Sequence, residues 1–217
     1  MAKVNCIFEN DREIPPKVLA MYRAVMELIN EGVEIADMKV FTITDRAGIG
    51  KGTAYEYFES KDEIVACAVV YCMQRIFQHI NEELAKKENF IDQFDLLMDE
   101  AEKAESQKVS FFRFIHILTD GSEFCKLVRS KLNSEHFEEY LPLNFMKKMI
   151  VRAKETGEIT SQASEDYLVC FLMAQMMNYT LFFAMDGEMI DVDAATMREN
   201  IRASIMNELK IGKTISK

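Results

Sequence analysis

The sequence predicts an all-α protein. Its 217 residues include only 3 prolines and 8 glycines, so long irregular loops are scarce. Hydrophobic residues make up 49% of the chain and recur at helical spacing along most of it, which is enough to build a buried core. We expect a small helical domain over residues 1–60 and a larger one over residues 61–217.

The small domain begins with two helices of different length. The first follows the Pro-Pro pair at residues 15–16 and ends near Asn30, since proline suits the first turn of a helix. A short second helix is indicated by Val40, Ile43 and Ala47, which lie at i, i+3 and i+7 and give it one apolar face.

A tight turn and a third short helix come next. Glycine adopts a positive φ without a Cβ clash, so Gly48 ends the second helix. The third helix covers residues 51–57, and Phe58 anchors its end in the core. Ser60 and Glu63 form a capping box that starts a fourth helix. Two short helices joined in this way form the motif that places one helix in the major groove of DNA.

The third helix is rich in hydrogen-bond donors, which are carried by Lys51, Thr53, Tyr55 and Tyr57. Hydroxyl groups and helix N-termini suit phosphate oxygens, which accept most protein–DNA hydrogen bonds. Gly52 lets the backbone approach whatever lies opposite. Lys61, at the start of the fourth helix, can reach the same nucleic-acid backbone.

Residues 47–58, AGIGKGTAYEYF, and residues 60–63, SKDE, resemble the DNA-binding signature of the TetR family of transcriptional regulators. The resemblance covers roughly residues 17–65. It implies that bases and phosphates are contacted by Lys51, Gly52, Thr53 and Tyr55. It also implies contacts with the sugar-phosphate backbone from Tyr57, Lys61 and Thr42. Lys39 is a further phosphate candidate that does not follow from the family pattern.

Three residues depart from the family pattern. Gly50 replaces the usual serine, so a helix cap and a phosphate contact are lost. Lys39 stands where a threonine cap is common. Glu56 is an acid on the recognition helix; it either points away from DNA, which we favour, or accepts from a cytosine amino group.

The charge of the chain is unusual for a DNA-binding protein. The net charge is −10, and residues 1–65 hold eight basic against twelve acidic residues. Non-specific DNA binding should therefore be weak, and specific binding must depend on Lys39, Arg46, Lys51 and Lys61. The acidity leaves open an alternative, a helical interaction module that keeps the fold but has lost specific DNA binding.

The larger domain should contain six helices, near residues 61–87, 89–106, 122–132, 134–156, 167–185 and 193–209. The fourth of these should be interrupted or bent near Pro142. Residues 167–185 contain no charged side chain, yet Gln175, Asn178 and acidic flanks argue against a membrane span. We expect the last two helices to form the interface of a homodimer, as the family resemblance also implies.

The resemblance implies a small, rather apolar effector of unknown identity. The aromatic, Met and polar side chains expected to line its pocket are Phe111, Phe114, His116, Phe145, Met149, Met173, Met177 and Asn178. Ordinary core packing is the alternative interpretation for each of them. We expect the protein to bind a double-stranded, near-palindromic DNA operator. Binding of the effector should release the protein from this DNA.

Other functions find no support in the sequence. There is no phosphate-binding glycine loop, the three histidines are scattered, and no Cys/His/acid group shows a known metal-ligand spacing. We therefore predict no catalytic residues, no metal ligands, no cofactor and no membrane partner. Five cysteines without a CxxC pair are interpreted as reduced thiols in the cytoplasm.

Overall fold

A computed structural model describes residues 13–106, 116–117, 119–132, 141–185 and 191–212. No strand occurs among these residues, and the all-α prediction is confirmed. The helices are α1 Pro16–Asn30, α2 Val40–Arg46, α3 Lys51–Tyr57, α4 Lys61–Ala85, α5 Phe90–Ser106, α6 Glu123–Leu132, α7 Pro142–Glu155, α8 Glu165–Ala184 and α9 Ala194–Leu209. Residues 116, 117 and 119 are helical as well.

The chain forms two compact units. The first contains the chain up to Phe77 together with a stretch that begins at His116, and the second contains the rest. Helix α6, which the sequence analysis assigned to the larger domain, therefore packs within the first unit. The functional boundary between residues 60 and 61 stays a prediction.

In the first unit an aromatic cluster holds three segments together. Tyr22 of α1 is completely buried, and its ring centroid lies 6.1 Å from that of Phe58 and 5.4 Å from that of Tyr71 on α4. Phe58 is the residue directly after α3. The cluster therefore fixes the end of α3 against α1 and α4, as the sequence predicted for Phe58.

In the second unit α8 packs against α5, α7 and α9. Polar contacts reinforce this packing: Arg198 of α9 pairs with Asp99 at 2.7 Å and with Glu102 at 3.1 Å, both on α5. The hydroxyl of Tyr179 on α8 donates to the Glu102 carboxylate. Burial, followed by the nearby Glu102, raises the pKa of Tyr179, so it stays a neutral donor.

The break predicted near Pro142 is present, because Pro142 occupies the first turn of α7, where its missing N–H costs nothing. Residues 133–140, which the predicted helix also covered, lie outside the described residues. The prediction that all five cysteines are reduced thiols is wrong. Cys67 is buried in α4 and is disulfide-bonded, whereas Cys72, Cys125 and Cys170 are free. Cysteine spacing along the sequence does not report which sulfur atoms the fold brings within bonding distance.

Candidate nucleic-acid interface

The turn between α2 and α3 is fixed by its backbone. Gly48 has φ +66°, the left-handed conformation that favours glycine. The Ile49 N–H donates to the Thr44 carbonyl at 2.9 Å, and the Gly48 N–H donates to the Asp45 carbonyl at 3.1 Å. This is the Schellman arrangement that ends a helix and redirects the chain. The predicted glycine turn is therefore present.

The exit from α3 is equally well defined. The Glu63 N–H donates to the Ser60 hydroxyl at 3.1 Å. The Glu63 carboxylate accepts from the Glu59 N–H at 2.8 Å, which is one residue earlier than in the standard capping box. Together with the Schellman turn, this cap holds α3 at both ends.

Helix α3 turns nearly all of its side chains outward. Its only buried residue is Ala54. Lys51, Gly52 and Tyr55 are exposed, Tyr55 to 49%, and Thr53 and Tyr57 are half-buried. On the preceding helix Thr42 is exposed, as is Lys39 just before it. The predicted DNA-contacting residues of α3 are therefore accessible.

Gly50 and Gly52 are not required by the fold. A Cβ added at either position would meet no atom within 4 Å among the described residues, and neither has the positive φ that Gly48 has. Nothing within the unit thus explains these glycines. Open space in front of Gly52 fits the prediction that another backbone approaches it closely.

The four basic residues expected to support DNA binding differ in whether their side chains already have a partner within the protein. Arg46 is engaged by α1, because its guanidinium forms a two-pronged hydrogen bond with the Glu31 carboxylate and lies 3.8 Å from Glu27. Lys61 Nζ donates to the Ile35 carbonyl at 3.0 Å. In contrast, exposed Lys39 and Lys51 pair with no acid in the part of the chain that is described.

The Arg46 ion pair also orients Glu31, the acid that directly follows α1. The hydrogen bond from Arg46 lowers the pKa of Glu31, so this carboxylate stays ionised and paired. Arg46 thus ties α2 to α1 and neutralises an acid beside the motif.

One exposed residue was not identified from the sequence. Phe41 on α2 is 67% exposed, more than any other large hydrophobic side chain among the described residues. Phe41 lies outside the apolar stripe formed by Val40 and Ile43. A large apolar residue off the stripe of its helix is expected to be exposed, so its exposure could have been predicted from the sequence.

The predicted effector-binding residues are dispersed. Phe111 and Phe114 lie outside the described residues. Phe145 and Met149 are buried on α7, Met173 and Met177 are half-buried on α8, and α7 packs against α8. Asn178 is exposed, and exposed His116 belongs to the first unit.

No helix among the described residues is long and apolar enough to cross a membrane.

Helices α1, α2 and α3, with α3 facing outward, have the arrangement of the helix-turn-helix class. Residues 24–67 match the family model of bacterial regulatory proteins of the tetR family. The match confirms the resemblance: residues 24–67 are similar to the helix-turn-helix segment of TetR-family transcriptional regulators. Among curated proteins, none matches the chain significantly by sequence.

Solved structures share the fold over nearly the whole chain. The transcriptional regulator FadR from Bacillus subtilis, in complex with stearoyl-CoA, is 16% identical, with a TM-score of 0.65 over 88% of this chain and 98% of that one. The fatty acid degradation regulator FadR from Bacillus halodurans is also 16% identical, with a TM-score of 0.66 over 92% and 99%. A TetR transcription regulator from Haloarcula marismortui is 15% identical, with a TM-score of 0.64 over 89% and 96%.

Proposed function

We propose that the protein is a cytoplasmic, ligand-responsive transcriptional repressor that binds a palindromic operator as a homodimer. The observation that carries this proposal is α3, a short helix held at both ends whose only buried residue is Ala54. Such a helix adds little to its own core, whereas its outward Lys51, Gly52 and Tyr55 suit the phosphates and base edges of a major groove.

Most of the predicted contacts have distinct roles in this proposal. Lys51 and Tyr55 bind phosphates and bases from α3, and Thr53 and Tyr57 support them at the edge of the helix. Lys39 and Thr42 contact the neighbouring phosphates. Lys61 contributes less, because its amino group already bonds a carbonyl of its own chain.

Dimerisation rests on the exposed face of α8. Five exposed residues of α8 follow one another at intervals of three or four: Tyr167, Cys170, Ala174, Asn178 and Leu181. They therefore share one face of the helix, and that face is mostly apolar. A second copy of the same face would cover it through a two-fold axis. Two α3 helices could then read half-sites about 34–36 Å apart.

The effector is proposed to bind in the second unit. Phe145 and Met149 face the interior one turn apart on α7, and half-buried Met173 and Met177 lie on the helix that packs against it. These flexible, apolar side chains suit an adaptable pocket. Because the similar FadR of Bacillus subtilis holds stearoyl-CoA, a long-chain acyl-CoA is the first probe, with acetyl-CoA as its short-chain control.

The decisive test is a fluorescence-anisotropy titration with DNA from upstream of the protein's own gene, beside scrambled DNA of the same length, at two salt concentrations. We expect tight binding to the first DNA only, weakening as salt rises. Tyr55→Ala should abolish specific binding. Leu143→Ala is the control, because Leu143 is similarly exposed but lies in the second unit.

Equal and weak binding to both DNAs would direct the search to other operators. If a genome-wide selection then also returned no sequence, the regulator proposal would be overturned in favour of the interaction module. Release of bound DNA by the acyl-CoA, but not by acetyl-CoA, would support the proposed apolar effector.

A further inference from the structure

A cluster of metal-ligating side chains lies in the first unit, outside the residues proposed to contact DNA. It contains His116, Asp120 and Cys125, whose ligand atoms all lie within 4.8 Å of one another. We propose that these three side chains bind a divalent transition-metal ion of the zinc class. The proposal does not depend on the proposed function.

The backbone brings these residues together. His116 and Asp120 are four residues apart, and the Asp120 N–H donates to the His116 carbonyl at 2.8 Å, so one helical turn separates them. The chain then turns at Gly121. The Ser122 hydroxyl accepts from the Cys125 N–H at 3.3 Å and caps α6. Cys125 is thus placed in the first turn of α6, facing the end of the preceding helix.

The Asp120 carboxylate is oriented for this role. Its Oδ1 accepts from the Ser122 N–H at 2.7 Å. Ligands held by a second partner are typical of metal sites. Metal binding would form a sulfur–metal bond at Cys125, and the thiol proton would pass to solvent.

The spacing requires only side-chain movement. Zinc has bonds of about 2.0–2.3 Å, so in tetrahedral coordination its ligand atoms lie roughly 3.5 Å apart. The distances between the three ligand atoms therefore have to shorten by at most about 1.3 Å. His116 is exposed and can rotate to do so, whereas Cys125 is buried and fixed. The solvent side of His116 leaves the fourth position to a water molecule.

The donor atoms select the kind of ion. A thiolate, an imidazole and a carboxylate suit zinc and its neighbours, whereas Mg²⁺ and Ca²⁺ require oxygen ligands. The thiolate and the carboxylate would balance the charge of a divalent ion. Arg129 opposes binding, but its guanidinium donates to the Ile117 and Asp120 carbonyls at 2.7 and 2.6 Å rather than to the ligand atoms.

The ion would brace the helix that supports the start of α4. At the far end of α6, Lys131 pairs with Glu63 at 2.9 Å. The same Glu63 carboxylate accepts from the Glu59 N–H after α3. An ion at the first turn of α6 would therefore stabilise the first unit, because it binds the folded arrangement of these ligands and not the unfolded chain.

The experiment is a cobalt titration of the full-length, chelator-treated protein, followed by displacement with zinc. We expect one ion per chain, with the near-ultraviolet charge-transfer absorption of a cobalt–thiolate bond. Cys125→Ser should remove that absorption, and His116→Ala should weaken cobalt binding at least about tenfold. Cys72→Ser, which alters a free cysteine outside the proposed metal site and the proposed dimer face, should change neither.

Other results would overturn the site. Wild-type protein without thiolate absorption, or Cys125→Ser with unchanged absorption and affinity, would show adventitious ions only. Circular dichroism checks that the buried Cys125→Ser variant folds. If it does not, exposed His116→Ala decides alone, and unaltered cobalt affinity in that variant would reject the proposal.

Discussion

Helices α3 and α8 expose opposite kinds of surface. In α3 the outward residues are polar or lack a side chain, whereas α8 exposes a mostly apolar face after packing against α5, α7 and α9. Neither surface is covered by other described residues of its own unit. Exposed donors on a short, held helix suit nucleic acid, and an apolar face with regular spacing suits another protein surface.

The two helices also differ in how they are held. Helix α3 is fixed at its ends, by the Schellman turn at Gly48 and by the cap at Ser60 and Glu63. Helix α8 is fixed along its length by packing, and by the Ser164 hydroxyl that accepts from the Tyr167 N–H at its start. Substitutions on the exposed face of either helix should therefore alter binding while the unit stays folded.

The largest effect is expected from Leu181→Glu on the exposed face of α8. A charge there should prevent dimerisation and, by removing the second half-site contact, weaken DNA binding by about 10²–10⁴-fold. Sedimentation and DNA titration measure the two effects. Leu143→Glu is the matched control, since Leu143 is 45% and Leu181 43% exposed. A dimer that survives Leu181→Glu would exclude this face as the interface.

Next in size is Lys51→Ala on α3. Losing one phosphate contact per subunit should weaken binding to all sequences by a similar factor, and should reduce the slope of log affinity against log salt by about 2 for the dimer. Lys103→Ala is the control, because Lys103 is an exposed lysine that pairs with Glu100 on the same helix, α5. An unchanged salt slope would mean that Lys51 contacts no phosphate.

The sequence predicted α3 more completely than α8 because the signals for α3 are local. Gly48 and the cap formed by Ser60 and Glu63 act through neighbours fewer than five residues away, so their roles can be predicted from spacing alone. The Phe58 contact with Tyr22 is long-range, but burial of an aromatic after a short helix is a common outcome.

Contacts between residues far apart in the sequence could not be predicted in this way. The Arg46–Glu31 pair joins residues 15 apart, and nothing in the local pattern distinguishes this engaged arginine from exposed Lys51. His116 was interpreted as an effector contact because its apolar neighbours hide its proximity to Cys125, which depends on the turn at Gly121. The apolar run in α8 indicated burial, but only the fold shows which residues stay exposed.

Gly52→Ala should change stability and DNA affinity in opposite directions. Alanine is the better helix former and meets no atom there, so unfolding should become less favourable by about 0.5–1 kcal/mol. The added methyl would obstruct the proposed DNA backbone, with an expected loss of about 1 kcal/mol per half-site, or roughly fivefold. Thermal unfolding and anisotropy measure both.

The control for this glycine is Gly121→Ala, which also meets no atom within 4 Å and lies away from α3 in sequence. It should leave DNA affinity unchanged. If Gly52→Ala stabilises the protein without weakening DNA binding, the open space before Gly52 does not receive the DNA backbone.

The smallest effect concerns the ion pair that supports α2. Arg46 lowers the pKa of Glu31, so the folded state holds this carboxylate ionised more strongly than the unfolded state does. The resulting stability is present above the ordinary value of 4.5 and is lost as pH falls through the lower folded pKa. Glu31→Gln should therefore lower the urea midpoint slightly at pH 7, and the difference from wild type should shrink in acid. Glu34→Gln removes an exposed acid from the same unit without breaking this pair, so a pH-dependent difference of equal size there would assign the effect to net charge instead.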